Sequence, residues 1–157
     1  MAKAHTYKRD HINTDEIIPA RYLNTDNMAE LATHCMEDLD TEFVKKCKPG
    51  DVIVAGDDFG CGSSREHAVI TLKNAGVAAI FAKSFARIFY RNCINLGIPV
   101  IMAPDLDSFG LSEGQEIEVD LAPGKLKSGG AVHSFVPLSD DILALIENGG
   151  VFSLYRK

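Results

Sequence analysis

The stretch GDDFGCGSSREHA, residues 56–68, gathers the side chains of this sequence best suited to chemistry. Ser63, Ser64, Arg65 and Glu66 are consecutive, and Gly60 and Gly62 lie just before them. A serine followed three positions later by a glutamate has the spacing of a capping box, with Ser63 capping a helix and Glu66 reaching back. Ser64 and Arg65 then fall on the first helical turn. The free amides and the positive end of the helix dipole favour an anion there. Arg65 could add a bidentate grip on a carboxylate or phosphate. The same residues also suit an ordinary capped helix after a glycine-rich turn. The stretch contains no GxxxxGK[ST], GCGSSR is not GxGxxG, and no GxSxG elbow is present. Residue types alone define a candidate anion site and leave its ligand open.

Other reactive residues are less pointed. Arg87, in SFARI, suits either a second carboxylate contact or a surface pair with a nearby acid, and the pair is expected. His67 reads as a solvated or interface histidine, and the five histidines show no metal-ligand spacing. Cys35, Cys47, Cys61 and Cys93 are widely spaced with no CxxC pair, which predicts reduced, packed thiols in a cytosolic chain. No metal site is expected within this chain.

The elements that must position the serine turn are clearest in the middle of the chain. DVIVAG (51–56), VAAIFA (77–82) and IPVIMA (98–103) predict buried strands. A helix is expected from about Ser64 to Ala75, stopped by Gly76. A second is expected from about Phe85 to Leu96, with Ser84 as cap, Gly97 and Pro99 beyond it, and Phe85, Ile88, Phe89 and Leu96 on one apolar face. Strand, helix, strand, helix, strand implies parallel pairing through crossover helices. Toward the C-terminus, residues 115–121 and part of 131–138 alternate as an antiparallel ribbon separated by APGKLKSGG. Ser139 caps a short helix over 139–150. Residues 13–27 read as a long structured loop, with helical pieces near 27–36 and 40–47. One mixed α/β domain over residues 1–157 is the expectation.

Composition narrows the class. The 157 residues are 46% hydrophobic and 24% charged, with a formal net charge of −6, as in an ordinary globular protein. The acidic balance argues against nucleic acid, whose binding depends on basic side chains. There is no apolar run for a membrane span, and the first 16 residues are too polar for a signal peptide.

GDDFGCGSSREHA, followed by AIFAKSFARIFYRNCINLGIPV (79–100), resembles the swivel domain of the aconitase superfamily, and HINTDEIIPARYL (11–23) resembles its N-terminal loop. By length, the chain is most similar to the small subunits of isopropylmalate dehydratase and homoaconitase. The resemblance implies a swivelling β/β/α domain, with parallel central strands, crossover helices and an antiparallel C-terminal ribbon. It also implies a hydro-lyase of hydroxy-diacids, inactive without a larger subunit that carries a 4Fe-4S cluster. Carried onto GSSRE, it makes Ser64 the base that takes the carbon-bound proton, with Ser63 and Arg65 holding substrate carboxylate. A serine is a poor base near neutral pH unless its anion is stabilised, and a helix N-terminus with a guanidinium supplies that stabilisation.

The segment ARYLNT (20–25) corresponds to the family's substrate-selecting loop, which adds Arg21, Asn24 and Thr25 as substrate-binding candidates. Relatives of homoaconitase type carry arginine where this chain has Asn24, and isopropylmalate-type enzymes present apolar residues. A neutral amide gives a third carboxylate no partner, so the expected substrate is isopropylmalate, with a methylated malate or homoaconitate as alternatives. That substrate implies a role in leucine biosynthesis. Outside enzymology, a stand-alone anion-binding or regulatory module and a nucleotide-phosphate binder remain alternatives.

Overall fold

Strand β2 (Val52–Ala55) is buried along its whole length, and the sheet grows outward from it. A computed structural model describes residues 2–63 and 66–147. On one side of β2 lie β3 (Ala79–Ala82) and β4 (Val100–Met102), paired in parallel as their β-branched and apolar runs predict. On the other side lies β1 (Ala2–Tyr7), parallel to β2 and antiparallel to β5 (Glu116–Asp120). The antiparallel half continues through β6 (Lys125–Ser128) and β7 (Ala131–Ser134), giving the seven-strand order β4-β3-β2-β1-β5-β6-β7.

Alternation along the parallel strands creates two cores. Ile53, Ala55, Ile80, Ala82 and Val100 face the helices, while Val52, Val54, Ala79, Phe81 and Ile101 face the opposite layer. The helical layer contains α1 (Thr14–Ile17), α2 (Met28–Ala32), α3 (Phe43–Lys46), α4 (Glu66–Asn74) and α5 (Arg87–Leu96). The last helix among the described residues, α6 (Asp140–Glu147), packs Ile142, Leu145 and Ile146 against the same core. The opposite layer is closed by Leu106, Phe109 and Leu111 and by Leu126 and Phe135, whose ring meets Phe81 edge-on at 5.2 Å.

Several expectations change. The spacer APGKLKSGG contains strand β6, where Leu126 and Ser128 turn inward and Lys125 and Lys127 alternate with them. A single apolar inward residue was too weak a signal. Ser84 does not cap α5: Ala86 holds that position without a side-chain bond, and Ser84 Oγ instead accepts from the Asp58 amide and donates to Asp57. The buried face of α5 is Phe89, Cys93 and Ile94, while Ile88 is 50% exposed. Ser139 does accept from the Ile142 amide at the start of α6, as its position predicts. The pieces near 27–36 and 40–47 shorten to α2 and α3.

Candidate active site

Segments leaving the C-terminal ends of β1, β2 and β3 are stitched together by main-chain bonds. The His11 amide donates to Asp57 (2.8 Å), the Gly60 amide to Ile12 (2.8 Å) and the Thr14 amide to Cys61 (2.9 Å). On the other side, the Phe59 amide donates to Ser84 (3.1 Å) and the Ala86 amide to Phe59 (3.0 Å). The turn at 57–63 is therefore held between the HINTDE loop and SFARI. These are the three motif blocks that sequence alone set apart, and they meet where open α/β sheets bind ligands.

Two glycines make that approach possible. Gly60 has φ +86°, and a Cβ there would lie 2.1 Å from Cγ of Phe89. The turn thus rests directly on α5. Gly62, at φ +97°, has room for a Cβ, so the requirement there is its backbone conformation.

The HINTDE loop is itself capped. Asn13 caps α1 by accepting from the Glu16 amide (3.0 Å), and Glu16 accepts from the Asn13 amide (3.2 Å). Burial alone would raise the Glu16 carboxyl, but hydrogen bonds from Arg9 and Asn13 outweigh it and hold it below the usual range. Next to it Thr14, 3% exposed, donates its hydroxyl to the Ser63 carbonyl (2.9 Å) and lies 3.4 Å from Ser63 Oγ. Thr14 was not singled out from the sequence, and only its place in a TD-rich loop pointed to it.

Ser63 is exposed and borders a cavity of about 260 Å³, whose walls include Thr14, Gly60, Arg87 and Asn92 over a floor of Phe89. Ser64 and Arg65, expected as base and carboxylate grip, lie outside the described residues, as does the backbone of the capping box between Ser63 and Glu66. The ion pair expected for Arg87 is not found among the described residues.

The loop expected to select substrate lies elsewhere on the surface. Arg21 pairs with Asp38 (2.7 and 3.1 Å) and Glu37 (3.4 Å) and covers the ring of Tyr22. Thr25 Oγ1 accepts from the Asn27 amide and donates to Glu30. Asn24 is exposed. None of these three lines the cavity beside Ser63.

Partial burial raises the Cys61 thiol, and burial pushes Cys47 up to about 11, so both stay protonated near neutral pH. Donor atoms of His11, Asp58 and Cys61, and of His5, Cys47 and Asp51, lie within 4.8 Å of one another. Each trio holds one cysteine. A 4Fe-4S cluster needs several convergent thiolates, and the described residues of this chain do not fit one.

The fold and the stitched turn define a domain of the aconitase kind. The family model for the aconitase C-terminal domain matches residues 3–105, and the chain belongs to that family. Within it, the chain is 60% identical over 126 residues to the 3-isopropylmalate dehydratase small subunit of Caldicellulosiruptor saccharolyticus, covering 80% of this chain and 72% of that one. It is 49% identical to the methanogen homoaconitase small subunit of Methanothermobacter thermautotrophicus, over 94% of this chain and 86% of the other. The crystal structure of 3-isopropylmalate dehydratase from Methanocaldococcus jannaschii matches with TM-score 0.90 and 41% identity, covering 99% of this chain and 92% of that one. The swivel-domain fold expected from the motifs is thus the one found.

Proposed function

We propose that this chain is the small subunit of a hydro-lyase that removes and returns water on a hydroxy-diacid, with 3-isopropylmalate as substrate and leucine biosynthesis as setting. The convergence of the HINTDE loop, the turn ending at Ser63 and SFARI on one small cavity carries the reading. The dehydratase relatives support the substrate. Ser64 takes the proton from the carbon next to the carbinol carbon, and Ser63 and Arg65 hold a carboxylate. The 4Fe-4S cluster implied by the family belongs to a larger partner subunit, and this chain's part is proton transfer and carboxylate binding. Among the described residues no helix is long and apolar enough to cross a membrane, and we assign the complex to the cytoplasm.

The homoaconitase relative supports a second substrate, homoaconitate. Asn24 favours the first, because a neutral amide leaves a third carboxylate unpaired. The test is dehydratase activity of this chain mixed anaerobically with the cluster-bearing subunit, on isopropylmalate, a methylmalate, homocitrate and citrate. Activity should require both chains, prefer isopropylmalate and disappear in Ser64→Ala. Near-normal turnover in that variant would remove Ser64 from the mechanism.

A further inference from the structure

Arg87 is the first residue of α5 and lines the cavity beside Ser63. Its side chain is exposed, and its position is mildly unfavourable within the chain alone. A cation at a helix N-terminus opposes the helix dipole, and Ala86 before it offers no side-chain cap. Acidic residues outnumber Lys and Arg 22 to 16, and Arg9 and Arg21 both pair with carboxylates. Among the described residues, Arg87 has neither an ion pair nor a hydrogen bond. Asn92, half-buried on the same helix and the same cavity wall, also has no side-chain hydrogen bond among them. Phe89 lies between the two in sequence and carries the turn through Gly60, so the spacing from Arg87 to the turn is fixed by packing. The cavity, about 260 Å³, falls just below the small-molecule range, which begins at about 300 Å³. Local placements that the fold does not reward are characteristic of functional positions.

We propose that Arg87 binds substrate: it takes the second carboxylate of the diacid, the one not held at Ser63 and Arg65, with Asn92 hydrogen-bonding beside it. This inference rests on the proposed hydro-lyase function. A guanidinium matches a carboxylate bidentately, which lysine cannot do.

The test uses the complex with the cluster-bearing subunit and compares Arg87→Gln, Arg87→Lys and Arg91→Gln. Arg91 lies one turn further along α5 and does not line this cavity. Arg87→Gln should raise KM for the diacid roughly 10- to 100-fold with a smaller change in kcat, as for a lost charge-assisted bond. Arg87→Lys should fall between, and Arg91→Gln should stay within about twofold. With a substrate in which that carboxylate is an amide, wild type and Arg87→Gln should converge. An unchanged KM in Arg87→Gln, an equal rise in Arg91→Gln, or loss of subunit association with normal KM in the complex that remains would each overturn the assignment. A wild-type complex inactive on every diacid would instead overturn the hydro-lyase reading, and this inference with it.

Discussion

The buried Thr14 hydroxyl donates a 2.9 Å hydrogen bond to the carbonyl of Ser63, 49 positions away in sequence. The bond joins the first turn of the capped α1 to the end of the serine turn, so the rigidity of one is lent to the other. Thr14→Val keeps the β-branched shape and removes only the hydroxyl. Because Ser63 is exposed, its carbonyl can turn to water, and the stability cost should be about 1 kcal/mol. The catalytic cost should be larger in proportion: kcat of the complex down roughly tenfold with KM little changed, since a loosened turn misplaces the reacting group. Steady-state kinetics beside a thermal melt would separate the two. A lower melting temperature with full kcat would make Thr14 purely structural.

The contact of Gly60 with Phe89 makes a sharper claim. Alanine at 60 meets a left-handed φ, costing about 1–2 kcal/mol, and a ring at 2.1 Å, adding about 1–3 kcal/mol of overpacking. Urea unfolding should show Gly60→Ala destabilised by the sum of these. In the background of Phe89→Ala the overpacking part should disappear and the backbone part remain. Equal costs in both backgrounds would mean the ring yields freely.

Much of this was legible before any coordinates, and the exceptions have physical causes. The parallel strands announce themselves because burial on both faces demands continuous apolar runs, as in VIVA and AIFA. Strand β1, AKAHTY, has no such run. His5 is buried there because Asp51 (2.8 Å) and Glu113 (2.9 Å) satisfy its ring nitrogens, and those partners are 46 and 108 positions distant. Ser84 has a cap's spacing, but its hydroxyl is drawn to Asp57 and Asp58 on the neighbouring turn. At the site, GSSRE stood out by residue type and HINTDE by its family resemblance. The support from Thr14, the wall formed by Arg87 and the separation of Arg21 from the cavity depend on which segments the sheet brings together.

The His5 bridge sets an acid limit on stability. Burial would raise the Asp51 carboxyl, but the amides of Lys48 and Lys3 and the His5 ring outweigh it and hold it below the usual range. Glu113 is lowered in the same way, against its own burial, by His5, the Thr6 amide and Lys46. A carboxylate lowered on folding contributes stability that is present above its unfolded value, about 4, and is lost as pH falls through the folded value. Unfolding free energy should therefore fall steeply below about pH 4. Asp51→Asn should lower stability at pH 7 by about 3 kcal/mol and flatten that acid limb. Chemical denaturation across pH would show it, and an unchanged slope in the variant would mean other carboxylates set the limit.

Asn24 offers a gain-of-specificity experiment rather than a loss. It is exposed, and among the described residues its side chain holds no hydrogen bond, so replacing it disturbs no packing. Arg21, three residues earlier, is committed to Asp38 and Glu37, and its bond to Asp38 above all holds its guanidinium above the ordinary value. A third carboxylate on the substrate would therefore need a new cation. Asn24→Arg should raise kcat/KM for a homoaconitate-type triacid relative to isopropylmalate by roughly 10-fold or more, the scale of one charge-assisted bond. Melting temperature should stay within a few degrees of wild type, as for an exposed substitution. Competition between the two substrates in one reaction gives the ratio directly. No movement in that ratio, with normal turnover of isopropylmalate, would remove this loop from substrate selection and leave the choice to the cavity walls near Arg87 or to the partner subunit.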